Sequence, residues 1–169
     1  MAPARPQRKS LTKSTLRRVG LALVLVAGLH PGHLADAATT ERLVVDWHTG
    51  LALYGFDPVA YFADAKPTMG RADFEYSHAG AIWRFGNEGN RAAFVEHAEV
   101  YMPRYGGYDP VALARGVARP GHPTMWLIDH DRLYLFASAA SRDEFAADPQ
   151  KSAAAADARW PGVMRALVP

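Results

Sequence analysis

Apolar and polar positions change rhythm several times between residues 54 and 162. Alternation of period two falls at Phe74-Glu75-Tyr76-Ser77 and again at Ile82-Trp83-Arg84-Phe85, around a His78-Ala79-Gly80 break. That pattern predicts a β-hairpin with one buried face. A second pair, 125–128 and 133–136, surrounds Asp129-His130-Asp131 and predicts another hairpin. Helix-start signals flank each one. Asp57-Pro58 and Asp109-Pro110 place a capping oxygen before a proline at the first helical position. Asn87 and Ser138 open the helices that follow, which bury Phe94 and Phe145 and display Arg91 and Arg142. An alanine-rich stretch at 152–160 predicts a last helix, closed by Trp160-Pro161-Gly162.

The two patterns share words as well as rhythm. Gly55-Phe56-Asp57-Pro58-Val59-Ala60 returns as Gly107-Tyr108-Asp109-Pro110-Val111-Ala112, a shift of 52. Phe85, Arg91 and Phe94 return as Phe136, Arg142 and Phe145, a shift of 51. The repetition implies an internal duplication of about 51 residues, with copy one at 54–105 and copy two at 106–169. The expected fold is α+β: two tandem helix–β-hairpin–helix units related by a pseudo-two-fold, sharing one antiparallel sheet. Residues 38–53 read as a lead-in arm whose Leu43, Val44, Val45 and Trp47 cover an edge of the core.

The first 37 residues have another character. Arg5, Arg8, Lys9, Lys13, Arg17 and Arg18 precede an apolar run of eleven residues, 19–29, and Ala35-Asp36-Ala37 follows. This is the layout of a signal peptide, too short in its apolar part to span a bilayer. The expectation is an exported protein, periplasmic or secreted, with no stable membrane anchor after cleavage. Leu16 and Gly20 around Arg17-Arg18 favour the Sec route over Tat. The leader also carries the basic charge. Of 19 basic and 17 acidic residues, six basic and one acidic precede Ala38, leaving 13 against 16, a net near −3. That removes the argument for nucleic acid as a partner. The chain has no cysteine, hence neither disulfides nor thiol chemistry.

Candidate chemistry is sparse. His48, His78, His97, His122 and His130 follow the leader, and no two stand at i, i+3 or i+4, so no local metal motif exists. His78 and His130 sit near equivalent hairpin turns, and His122 stands between Gly121 and Pro123. Met69, Met102, Met125 and Met164 are too scattered for a methionine-rich copper site. Tyr54, Tyr105 and Tyr108 cluster beside Asp57 and Asp109 at the starts of the two short helices. Tyr105, Tyr108 and Asp109 at a helix N-terminus could line a pocket for a small polar or anionic ligand. The usual enzyme signatures are absent: no Gly-x-Ser-x-Gly elbow, phosphate loop or dinucleotide fingerprint.

From Tyr54 to Gly162 the chain resembles the exported members of the YHS-domain family. The phrases that carry the resemblance are YGFDPVAYF at 54–62, FEYSHAGAIWRFGNEGNRAAF at 74–94 and YMPRYGGY at 101–108, extended by WLIDHDRLYLF at 126–136 and ARWPG at 158–162. The resemblance implies a metal-related or redox association and a thiol or selenol directly after YGGY. Here that position is Asp109. A thiol there would be activated by the helix N-terminus; aspartate keeps the charge and the cap but cannot change oxidation state. The expectation is therefore a binding or accessory protein rather than an enzyme. Its ligand-binding candidates are Tyr54, Asp57, Tyr105, Tyr108 and Asp109, and its metal candidates Asp109, His122 and His78. A transition metal is the candidate cofactor, and a metal, a small ligand or a protein the candidate partner. The alternative is a structural or protein-interaction module that has lost the thiol chemistry; a redox enzyme with a bound cofactor is weaker still.

Overall fold

The computed structural model describes Met1 and residues 42–167. The chain divides into Met1–Leu34 and Ala35–Pro169. The leader and its cleavage point lie outside the described residues, Met1 excepted, so everything below concerns the second part.

The first short helix, α1 (Ala60–Ala63), starts two residues later than Asp57-Pro58 predicts, with Val59 at its cap position, and leads to the hairpin β1 (Arg71–His78) and β2 (Ala81–Phe85). The turn between the strands is tight because Ala79 and Gly80 are both left-handed. Asn87 then caps α2 (Glu88–Glu96), its side chain accepting the Asn90 N–H at 2.9 Å. A four-residue helix, α3 (Ala98–Tyr101), follows directly. The order then recurs: α4 (Pro110–Ala114) after Asp109, β3 (His122–Asp129) and β4 (Arg132–Phe136), and α5 (Ala139–Ala147) capped by Ser138. The last helix is α6 (Pro149–Leu167). This is a mixed α/β fold with two antiparallel hairpins. Among the described residues no helix is long and apolar enough to cross a membrane.

The correspondence reaches individual pairings. Arg71 pairs with Phe85 and Glu75 with Arg84, so three residues of β1 bulge out between them. His122 pairs with Phe136 and Trp126 with Leu135, the same bulge 51 residues on. Glycine stands just before each bulge because the strands approach too closely for a side chain. A Cβ on Gly70 would fall 2.5 Å from the Arg84 carbonyl carbon, and one on Gly121 would fall 2.6 Å from Leu135 Cβ.

Two expectations of the sequence need correction. The hairpins do not share a sheet: β1–β2 and β3–β4 form separate two-stranded sheets. The lead-in arm takes part of the free edge of β2, with the Ala52 N–H donating to Ile82 O at 2.9 Å. Nor does a two-fold relate the halves, because equivalent positions are not equally buried. The inner faces behave alike: Trp83 and Phe85 pack on Phe94, and Tyr134 and Phe136 on Phe145. The outer faces differ. Leu133 and Leu135, at 0 % and 1 % exposure, belong to the first hydrophobic cluster with Leu53, Tyr61 and Phe94. Their equivalents in the first hairpin are Ile82, 38 % exposed, and Arg84, ion-paired to Glu75. The second hairpin thus lays its outer face on the first segment, a head-to-tail contact. Each of those leucines contributes about 2 kcal/mol of apolar burial.

The far end of the second segment is covered by α6. Ala153, Ala156, Trp160, Val163 and Leu167 join the cluster of Tyr105, Tyr108, Leu113 and Phe145. Packing also explains why the predicted stop at Pro161-Gly162 fails. Pro161 removes one helical hydrogen bond, but Trp160, Val163 and Leu167 recur along one helix face that is already docked. The arm straddles the two clusters, with Leu43 in the first and Val44 in the second. Trp47, expected to cover the core, is 76 % exposed and stacks on His48 instead.

Candidate functional site

Each short helix begins from a strained turn. Leu53, Tyr54 and Gly55 all have left-handed backbone, as do Tyr105, Gly106 and Gly107. Three such residues in a row reverse the chain sharply, and the non-glycine members store strain. The aspartate that follows is held in a fixed position. Asp57 is wholly buried; its Oδ1 accepts the Val59 and Ala60 N–H groups at 2.8 and 3.3 Å. Its Oδ2 accepts the Gly86 N–H at 2.7 Å and the Asn90 side-chain amide at 2.6 Å. Asp109 is equally buried and accepts from Val111 at 2.8 Å, Ala112 at 3.2 Å and Ala137 at 2.9 Å. Each carboxyl group thereby joins the start of a helix to the end of its hairpin, caps the one and fixes the other.

Tyr105 and Tyr108 both belong to the second cluster and face the protein's own last helix. The Tyr105 hydroxyl is 2.9 Å from Asp157 Oδ1 and 3.1 Å from Ala153 O. Burial, reinforced by the bond to Asp157, raises its phenol above the ordinary tyrosine range. Arg104 stacks over the same ring and donates to Asp157 Oδ1 at 2.7 Å. Trp160 packs against both tyrosines. The space predicted for a ligand is thus filled by α6. In the first segment, Tyr54 is exposed and Asp57 is enclosed. Tyr61 replaces Tyr54 as the buried phenol there; burial, then the charge of Asp57, raises it, and its hydroxyl donates to Pro123 O at 3.0 Å.

The metal candidates do not converge. His122 Nδ1 meets Thr124 Oγ1 at 2.8 Å, and His78 packs on the rings of Tyr76 and Phe94. Among the described residues no three metal-ligating side chains gather as a metal site would require. Both Asp109 oxygens already accept backbone N–H groups, and among the described residues neither His78 nor His122 joins Asp109 in a ligand cluster. Arg91 and Arg142, equivalent by sequence, make different local ion pairs, to Glu88 and to Asp143.

Two features were not anticipated. Asn90 completes the shell of Asp57, whereas the equivalent position, Ser141, donates only its backbone N–H to Ser138. The other is a cleft of about 280 Å³ between α4, α5 and α6, lined by Val111, Ala114, Arg115, Glu144, Lys151 and Ser152 among others. The repeat alignment holds the signal for it. Phe62 and Tyr101 of the first segment, in edge-to-face contact at 5.4 Å, correspond to Ala114 and Ser152. Compared with known proteins, the chain matches no family model, no curated protein and no solved structure.

Proposed function

We propose that this chain is an exported, non-catalytic protein-interaction module. It is built from two copies of a unit of about 51 residues and docks a partner through the outer face of its first hairpin. One observation carries the reading. The same face of the second hairpin, Leu133 and Leu135, is an interface inside the molecule, while Ile82 is 38 % exposed and Arg84, next on that face, is partly exposed, with nothing among the described residues packed over them to the same depth. Met69 and Tyr54 are exposed close by, with Met69 bridged to Phe56, and the Arg84–Glu75 pair adds charge to the same strands. A partner suited to this face presents an apolar ridge beside polar groups able to meet Arg84 and Glu75. This is the kind of surface that the Leu53 turn and Tyr61 present to the second hairpin.

The recurring bulge, caps and buried aspartates support the duplication, and the leader pattern supports export. The ordered phrases that resemble YHS proteins fit such an accessory role. Asp57 and Asp109 are its joints. A ligand at Tyr105, Tyr108 and Asp109 would have to displace α6, so that reading is the less favoured one.

The test is a photo-crosslinking amino acid placed at Ile82, compared with one at Val95 on α2, in protein exposed to the exported fraction of its host. A discrete adduct at Ile82, lost in an Arg84→Glu/Met69→Asp variant, is the expected result. Equal crosslinking at both positions would sink the reading, and a self-adduct would assign the face to a second copy of the chain.

A further inference from the structure

The cleft beneath α6 has a counterpart that is full. In the first segment Phe62 and Tyr101 occupy the angle between the short helix and the helix after α2, and both rings pack on the first cluster. In the second segment alanine and serine replace them, so two aromatic rings are missing from an equivalent frame. The floor that remains is apolar, formed by Val111 and Ala114. The rim is charged with both signs: Arg115 is held by both oxygens of Glu144 at 2.8 and 2.9 Å, Asp148 also lines it and accepts the Lys151 backbone N–H through Oδ1 at 3.1 Å, and the Lys151 side chain has no ion-pair partner among the described residues.

We propose that this cleft is a binding site for a small aromatic carboxylate, a ligand that no part of the interaction reading requires. The ring takes the volume that Phe62 and Tyr101 take in the first segment, where an apolar wall gives most of the free energy. The carboxylate meets the Lys151 ammonium at the rim. The Arg115–Glu144 pair is already satisfied, and it fixes one wall of the cleft rather than capturing the ligand. The Ser152 hydroxyl offers a further donor to the carboxylate.

The experiment titrates the full chain with phenylacetate, and separately with benzylamine, following backbone amide signals by NMR. Phenylacetate is expected to bind saturably and to shift Ala114, Lys151 and Ser152, while benzylamine does not. Lys151→Ala weakens binding about tenfold, or about 1.4 kcal/mol, and Lys151→Arg restores most of it. Ala114→Phe/Ser152→Tyr gives the second segment the first segment's rings and abolishes binding. Absence of saturable binding to the parent chain overturns the proposal, as does equal affinity for benzylamine. Unchanged affinity in Lys151→Ala does so as well, and that variant, being exposed, keeps the test valid even if the filled variant folds poorly.

Discussion

The two hairpins have one backbone and two fates. Both carry the same bulge, a glycine ahead of it and aromatic residues at the same inward positions, yet one outer face is core and the other is surface. Two side chains per hairpin mark the difference: Leu133 and Leu135 against Ile82 and Arg84. Backbone geometry in this protein is set by caps, glycines and turn residues, while the outward positions decide what each unit touches.

Exchanging those residues gives the largest expected effect. Leu135→Arg places an unpaired charge in the first cluster and costs about 4 kcal/mol or more, which urea denaturation would register as loss of a folded baseline. The reciprocal Arg84→Leu should leave stability within about 0.5 kcal/mol while promoting association, visible by sedimentation. A stability loss of similar size in both variants would mean that the faces are not as different as their burial indicates.

The buried aspartates sharpen the comparison at the next level. Asp57→Ala strands three backbone N–H groups and the Asn90 amide, and Asp109→Ala strands three N–H groups. Costs of about 3 and about 2 kcal/mol follow, measurable by the same denaturation. Elemental mass spectrometry should find the metal content of the Asp109 variant equal to that of the parent, whereas a stoichiometric metal lost with Asp109 would overturn its purely structural role.

The smallest effect concerns the strained turns. Tyr54 is left-handed and exposed where the second segment has Gly106. Relief of about 1–2 kcal/mol of left-handed strain, less about 0.5–1 kcal/mol for glycine's freedom in the unfolded chain, makes Tyr54→Gly stabilising by about 0.5 kcal/mol. A thermal melt would show a small upward shift. Gly106 cannot be exchanged in return, since a Cβ there would fall 1.9 Å from Arg42 O.

What the sequence made legible was local. Asp109, Asn87 and Ser138 cap helices where expected, because a cap is decided within three or four residues of itself. The hairpins and their inward faces were readable for the same reason. Long-range decisions were not. Nothing in the alternation of β2 and β4 says that one outward face meets another segment, or that the arm occupies the free edge of β2. Pro161 and Gly162 are a stop by local propensity, and the docking of Trp160 and Val163 overrides it. At the candidate site the turn and the Asp109 cap were legible, but the helix that covers Tyr105 and Tyr108 lies some fifty residues downstream. The empty frame at Ala114 and Ser152 follows from the contact of Phe62 with Tyr101, a pairing between separate elements that no local pattern specifies.

The staggered burial has a consequence for how the molecule comes into being. The first cluster lacks Leu133 and Leu135 until the second hairpin exists, and the second lacks Trp160 and Val163 until α6 exists. As a chain lengthens from its N-terminus, each half stays open at one side until a later stretch arrives to close it. Neither half has a complete interior of its own, so cutting between them should yield two unstable pieces rather than two small domains, and the whole should melt in one cooperative transition.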